Sequence, residues 1–307
     1  MAVADQRSFR AAAEFCHVSQ PSLSVQVAHA EAVLGTRIFD RDRRRVLLTA
    51  AGEELLERAR RVLLEADDLF EAARRHVDPM VGTLRLGVIP TIGPYLLPDI
   101  VPALKEGFPQ LLLNWIEDKT EVLVRRITRG EIDGAVLALE ADLGDLVHEV
   151  LVADRFVLAV PVGHPLSTNG DEVKLKDLTG ERFLLLDEGH CFRDQALALC
   201  SAAHAEELSF RATSLSTLVQ MVSAGAGVTL LPEIALSSEC RRADLRLRQF
   251  APPVPARTLV LARRKRTSRE TTLARVAATI RDSLGRGAPP QPRGTNSATA
   301  KPARSRV

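Results

Sequence analysis

The chain has 307 residues, 46% of them hydrophobic and 4% aromatic, which suits two or more folding units of a globular α/β protein. No apolar run approaches the ~20 residues of a membrane span, no secretory signal is evident, and the four cysteines lack the tight spacing of a zinc module or a disulfide scaffold. The expectation is a cytoplasmic protein with no membrane partner, and a net charge of only +2 does not by itself announce a nucleic-acid binder.

Ser8 is placed to cap a short helix over residues 9–15, with Cys16-His17-Val18 as a turn. Ser19 can then cap a second helix that Gly35 ends, with Pro21 in its first turn. Leu23, Val27, Ala30 and Leu34 would form its inward face, leaving Gln20, Pro21, Ser22, Ser24 and Val25 on or near the outward side. Short helix, tight turn and longer helix with small polar residues outward fit a helix-turn-helix; an ordinary helical hairpin with a polar face fits the same spacing. Residues 37–45 concentrate Arg37, Arg41, Arg43, Arg44 and Arg45 against Asp40 and Asp42. From charge alone that is either a solvated loop or a phosphate-facing one.

The run from Ala11-Ala12-Ala13 to Ser19-Gln20-Pro21-Ser22-Leu23-Ser24, followed by Leu34-Gly35, Ile38-Phe39, Arg41 and Leu48-Thr49-Ala50-Ala51-Gly52, resembles the amino-terminal domain of LysR-type transcriptional regulators. The resemblance implies a winged helix-turn-helix over residues 1–53, with Gln20, Pro21, Ser22 and Ser24 facing the bases of double-stranded operator DNA. It places Arg41, Arg43, Arg44 and Arg45 in or near the wing, against phosphate. Two departures stand out. The chain opens at Met1-Ala2-Val3-Ala4, roughly mid-helix by that comparison, so a truncated first helix is expected. Ala30 stands where the family usually has Leu, a loss of core volume of a kind that costs ~2–5 kcal/mol.

Residues 50–77 read as one long helix. Leu55, Ala59, Val62, Ala66, Leu69 and Ala73 alternate steps of four and three, while Leu56, Leu63, Phe70 and Val77 recur every seven. Such a stripe needs cover, from its own protein or from a second helix in a dimeric coiled coil. The family resemblance implies the second, a linker helix over 54–80 that pairs two DNA-binding heads, in a dimer or a homotetramer.

From residue 83 the pattern changes to strands at 83–89, 111–116 and 132–139, with helices from Gly93-Pro94 to 108 and over 121–129. It restarts after Pro161, with a strand near 183–186, helices after Cys191 and over 214–224, strands at 228–231 and 258–262, and a helix over 270–284. Alternation of this kind predicts a parallel-type α/β sheet. The resemblance implies a two-lobed, periplasmic-binding-protein-like effector domain over 81–285. Its crossings are expected near 161–164 and 262–266, giving lobe I as 81–161 with 266–285 and lobe II as 162–265. Residues 286–307, with Arg286, Arg293, Lys301, Arg304 and Arg306 and no acid, are expected to be a disordered basic tail.

One stretch carries chemistry of its own. Cys191 lies between His190 and Arg193, which are expected to stabilise a thiolate, the reactive form of the side chain. A thiolate oxidises to a sulfenic acid, with which a second thiol can condense. Good helix formers run from Arg193 to Cys200, so the two cysteines should be spaced ~13 Å along a helix, on roughly opposite faces. A disulfide requires Cα atoms about 4.4–6.8 Å apart, so helix and disulfide exclude one another. Forming the bond would unwind or move the segment.

Within the family, Gly189-His190-Cys191-Phe192-Arg193-Asp194-Gln195-Ala196 with Cys200 closely resembles the OxyR-type hydrogen peroxide sensors. So do residues 89–98, from Ile89-Pro90-Thr91 to Pro98, and residues 210–215, Phe210-Arg211-Ala212-Thr213-Ser214-Leu215. The resemblance implies that Cys191 reacts with peroxide and Cys200 resolves it as a disulfide. It implies that Thr91, helped by Thr120, holds or activates peroxide, and that His190, Arg193 and Asp194 shape the pocket. Cys16 is expected to be packed in its turn, and Cys240 has no obvious partner. The remaining histidines show no ligand spacing, so neither a metal nor a cofactor is expected.

The function expected is a peroxide-switched activator of transcription, not an enzyme, whose partners are operator DNA, hydrogen peroxide, further copies of itself and RNA polymerase. A LysR-type regulator of a metabolite bound between the lobes and a thiol peroxidase are the alternatives. A helix-turn-helix and a heptad seam argue against the last, since an enzyme needs neither.

Overall fold

A computed structural model describes residues 1–40, 46–75, 78–167 and 172–287. Ser8 and Ser19 cap as their side chains suggest. Ser8 Oγ accepts from the Ala11 N–H at the start of α2 (Phe9–Phe15), and Ser19 Oγ accepts from the Ser22 N–H at the start of α3 (Gln20–Leu34), each at 3.3 Å. Gly35 ends α3 in the left-handed conformation, φ +67°. The first helix, α1 (Ala2–Gln6), buries Val3 against Ala12 and Phe39.

The inward face of α3 is only half realised. Leu23 and Val27 pack on that small core, but Ala30 is exposed and Leu34 is 51% exposed. They open instead onto an apolar groove of ≈ 710 Å³ between α1, α3 and the following long helix.

Strands β1 (Phe39–Asp40) and β2 (Leu47–Leu48) pair antiparallel. Glu31 ties them to α3, accepting the Ile38 and Phe39 N–H groups at 2.8 and 3.1 Å. The long helix α4 (Ala50–Arg75) begins hard against this strand. A Cβ on Gly52 would lie 2.1 Å from the Ile38 carbonyl oxygen, a contact only glycine permits. Arg60 pairs with Asp5 of α1 at 2.6 Å. Leu56 is buried, whereas Val62, Leu63 and Leu69 are exposed at 68%, 51% and 68%. Much of the described heptad stripe is therefore uncovered within one chain. The side chains of Phe70 and Ala73, and Val77 as a whole, lie outside the described residues.

The remaining elements, in chain order, are β3 (Gly82–Val88), α5 (Gly93–Gly107), β4 (Leu111–Glu117), α6 (Thr120–Thr128), β5 (Gly134–Ala138), β6 (Val147–Pro161), β7 (Arg182–Leu186), α7 (Cys191–Ala203), β8 (Glu206–Ala212), α8 (Leu215–Ser223), β9 (Thr229–Pro232), α9 (Glu233–Glu239), β10 (Leu245–Arg248), β11 (Ala256–Arg263) and α10 (Glu270–Gly287). Strands β4, β3 and β5 are parallel. The sheet continues antiparallel through β11 and β6 to β10, with β9 also on β6. β7 and β8 form a separate parallel pair bridged by α7.

Two cores result. One gathers Leu86, Val88, Leu104, Leu123, Val136 and Leu261, and the other Phe156, Leu158, Phe183, Leu218, Leu230 and Phe250. The crossings fall earlier in the chain than 161–164 and 262–266. β6, unanticipated as a strand, runs unbroken from one core into the other, changing partner where Arg155 faces Ala256 and Phe156 faces Pro232. The chain returns between Phe250 of the second core and the start of β11, whose Leu259–Ala262 lie in the first. Residues 156–161 therefore pack with the second lobe and 256–263 with the first, opposite to the boundaries expected. Pro161 and Gly163 do break the chain, but at the far end of a strand that has already crossed. Helix α10 continues to Gly287, past the expected end at 284, and tail residues 288–307 lie outside the described residues. Among the described residues no helix is long and apolar enough to cross a membrane.

Candidate functional site

The two cores meet at the first residue of α7. Cys191 is 9% exposed and packs with the first core; Cys200 is 2% exposed and packs with the second. Both are free thiols, and the unbroken helix between them holds their Cα atoms ~13 Å apart. The turn into α7 is made by Gly189 at φ +84°, where a side chain would be strained and its Cβ would lie 2.9 Å from Lys119 Cδ. Lys119, the N-cap of α6, reaches over this turn and donates through Nζ to the Glu188 carbonyl at 2.5 Å.

Near enough to act on Cys191 is a buried cation that is not among the residues expected from the sequence. Arg257 of β11 is fully buried and faces Asp154 across the β6–β11 ladder, donating through Nε to Asp154 Oδ2 at 2.9 Å. Its Nη1 donates to Thr91 Oγ1 at 2.8 Å and its Nη2 to the Thr91 carbonyl at 3.0 Å. The guanidinium stands 5.5 Å from the centre of the Phe192 ring, which meets Phe156 edge-on. Asp154 uses its second oxygen to accept from the Ile234 N–H at 3.1 Å. The ion pair is thus hydrogen-bonded on several sides, as burial of charge requires. The local signal was a lone Arg at an inward position of an apolar strand. Its partner could be known only once β6 was recognised.

Burial pushes the Cys191 pKa up from its ordinary value, and Asp194 adds to this. Thr120, Arg257 and the Phe192 N–H pull the other way, in that order, without overcoming burial. Thr120 Oγ1 is buried with no well-formed hydrogen bond, yet it lies close enough to the sulfur to favour its thiolate. The Cys200 thiol is pushed up to about 12, first by burial and then by the charge of Glu207.

His190 and Arg193 do not stabilise the thiolate as expected. Burial, with Lys119 next, lowers the His190 pKa, leaving a neutral imidazole at neutral pH. Arg193 lies two helix positions beyond Cys191, and such residues do not share a face. It turns instead to Glu207 at 2.9 Å and to the Leu186 carbonyl at 3.2 Å. Asp194 is exposed on the first turn of α7. Thr120 is thus placed beside Cys191, and Thr91 is tied to the same buried guanidinium that acts on the sulfur, while Arg193 and Asp194 stand to the side.

Gln20, Pro21 and Ser22 are exposed on the first turn of α3, and Ser24 follows partly buried. Arg41, Arg43 and Arg44, with Arg45, lie outside the described residues. Cys16, expected to be packed, is exposed, and Cys240 is half-buried.

A family model for the bacterial regulatory helix-turn-helix protein, lysR family, matches residues 1–53, and one for the LysR substrate binding domain matches residues 78–285. The Escherichia coli protein named DNA-binding transcriptional dual regulator OxyR is 41% identical over 282 residues, 92% of either chain. The Mycobacterium avium protein named probable hydrogen peroxide-inducible genes activator is 42% identical over 282 residues, 91% of this chain and 90% of that one. Among solved structures, a full-length OxyR variant from Pseudomonas aeruginosa superposes with a TM-score of 0.75 at 35% identity, covering 91% of both chains. The oxidized form of OxyR superposes with a TM-score of 0.62 at 38% identity, covering 68% of this chain and 98% of that one.

Proposed function

The chain belongs to the LysR family of bacterial helix-turn-helix regulators, and from that premise we propose that it is a cytoplasmic, DNA-binding activator of a peroxide response, switched by oxidation of Cys191 and its disulfide with Cys200. The observation that carries this reading is the setting of Cys191. A buried thiol begins a helix, with the Thr120 hydroxyl and the Arg257 guanidinium beside it, and the helix holds a second thiol out of reach.

The chemistry follows from the groups present. The Cys191 thiolate attacks one oxygen of hydrogen peroxide; the O–O bond breaks, a sulfenic acid forms, and hydroxide leaves to be protonated to water. Thr120, with no other partner of good geometry, donates to the peroxide. Thr91 accepts from Arg257 and keeps its own hydroxyl hydrogen to donate, while the Arg257 charge favours the departing hydroxide. Neutral His190 closes the pocket, and Arg193 and Asp194 shape it from outside. The Cys200 sulfur then displaces the hydroxyl of the sulfenic acid, giving the disulfide and a second water. Two electrons pass from the thiols to peroxide, with no cofactor. Because the disulfide needs Cα atoms about 4.4–6.8 Å apart, α7 must open.

The output is carried by the other end of the chain. Gln20, Pro21, Ser22 and Ser24 read the operator, and Arg41, Arg43 and Arg44 grip phosphate. The exposed stripe of α4 pairs with a second copy, and dimers associate to tetramers. Opening of α7 reorients these copies on the operator, from which RNA polymerase is recruited. Footprinting of the reduced and the peroxide-treated protein on its promoter DNA tests the reading. The expected result is a changed pattern of protected bases that a thiol reductant reverses. An unchanged footprint, with Cys191 and Cys200 shown by mass spectrometry to be joined, would end it.

The pH dependence has a definite sign. A thiol whose pKa is raised holds less thiolate at neutral pH, and that fraction grows about tenfold per pH unit until the pKa is passed. Burial lifts Cys191 above its ordinary 9.0, so the rate of its reaction with peroxide should climb throughout the neutral range. Stopped-flow rates that level off by pH ~7 would place the pKa below that of a free thiol, against the effect of burial.

A further inference from the structure

Glu207, on β8, lies outside the peroxide pocket and yet bears on both ends of α7. One oxygen of its carboxylate lies 2.9 Å from Arg193 Nη2 and 2.8 Å from Arg211 Nη1, an ion pair with each. The Arg193 side chain is only 10% exposed, and its Nη1 also donates to the Leu186 carbonyl at the end of β7. Arg193 therefore pins the first turn of α7 to both strands that flank the helix, and Glu207 is the charged half of the pin. At the other end of the helix the same carboxylate disfavours the Cys200 thiolate, second only to burial. The groups that set the ionisation of Cys191 do not include it.

We propose that Glu207 is a positioning residue for the second oxidation step, holding α7 closed through Arg193, so that the Cys191–Cys200 disulfide forms more slowly than the bare helix would allow. This rests on the reading of Cys191 and Cys200 as the redox pair. In the step concerned, Cys191–S–OH and Cys200–SH give the disulfide and one water; the Cys200 proton leaves with the hydroxyl oxygen. Two changes act together when the carboxylate is lost. Buried Arg193 loses its counter-charge in the helical form, a cost that vanishes once α7 opens to water. The Cys200 thiolate, which is the attacking species, also becomes easier to form.

The test uses the full chain with Glu207→Gln and Glu207→Asp, treated with one equivalent of hydrogen peroxide, acid-quenched and read by mass spectrometry. The first step is read separately as trapped sulfenic acid in a Cys200→Ser background. For Glu207→Gln the first step should stay within about twofold, the disulfide should form roughly tenfold faster, and its equilibrium with glutathione should move about tenfold, or about 30 mV, toward the disulfide. Glu207→Asp, which keeps the charge on a shorter arm, should fall between; it also decides the matter if the Gln variant does not fold. A purely structural role would lower the melting temperature without separating the two steps. Equal or slower disulfide formation in folded Glu207→Gln overturns the inference alone. Absence of any Cys191–Cys200 disulfide in the unmodified protein overturns the function proposed above, and this inference with it.

Discussion

Arg257→Met is expected to destabilise the reduced protein by about 3–5 kcal/mol, the range for removing one partner of a buried ion pair. Arg257 is fully buried and is the hydrogen-bonding partner of Asp154 Oδ2, Thr91 Oγ1 and the Thr91 carbonyl. Methionine fills much of the volume but leaves the Asp154 carboxylate, itself 4% exposed, without a counter-charge. Chemical denaturation should show a lower midpoint with little change of slope. The peroxide reaction should slow as well, by about tenfold for each unit that the lost cation lets the Cys191 pKa rise. A second variant separates the effects. Arg257→Met with Asp154→Leu removes the stranded charge and should recover most of the stability, since an apolar pair can replace a buried ionic one. It should not recover the rate. Recovery of both would mean that the cation is scaffolding and not part of the reaction; a loss under ~1 kcal/mol in the single variant would mean that Asp154 finds water or a proton instead.

Cys191→Ser should abolish the response to peroxide at every dose that leaves the unmodified protein fully oxidised. A serine hydroxyl is not ionised at neutral pH and forms no sulfenic acid, so neither the first bond nor the disulfide can form. DNA affinity, compared with and without peroxide, should then be equal within error. Cys200→Ser separates the two steps. It should still consume one equivalent of peroxide, stop at the sulfenic acid, and show no disulfide by mass spectrometry. A footprint that still shifts in Cys191→Ser would remove that residue from the mechanism and leave the lobe cleft as the place to look for a signal. Serine at this buried position is nearly isosteric with cysteine but adds a polar group, so the circular dichroism and melting temperature of Cys191→Ser should be matched to the unmodified protein before a null response is read.

The parts of this molecule that were legible in the sequence are those fixed by near neighbours. Ser8, Ser19, Pro21 and Gly35 announce the ends of α2 and α3 because capping acts over two or three residues. The helical stretch from Cys191 through Cys200 is equally local, and with it the separation of the two sulfurs. The misreadings have physical causes. His190 and Arg193 flank Cys191 in sequence, which points them at the thiolate, but the helix that begins at Cys191 turns Arg193 toward Glu207. Arg257 and Asp154 meet only through the β6–β11 ladder, which no local pattern declares. The break at Pro161 and Gly163 looked like a domain boundary because breakers mark where a strand stops, not which core it has been packing against. Along α3, periodicity gave the right stripe, but whether Ala30 and Leu34 are covered depends on what stands opposite, and there the structure has a groove.

The continuity of β6 limits how the lobes can move. A strand hydrogen-bonded into both halves acts as an axle rather than a hinge pin between jaws. Wide gaping would tear its ladder, whereas rotation about its length would mainly adjust the torsions where its partners change, between Arg155 and Phe156. The Asp154–Arg257 pair sits at that junction, and its guanidinium is near enough to Cys191 to act on the thiol. Torque released by α7 would therefore be delivered at the point where the two halves of the sheet are free to twist.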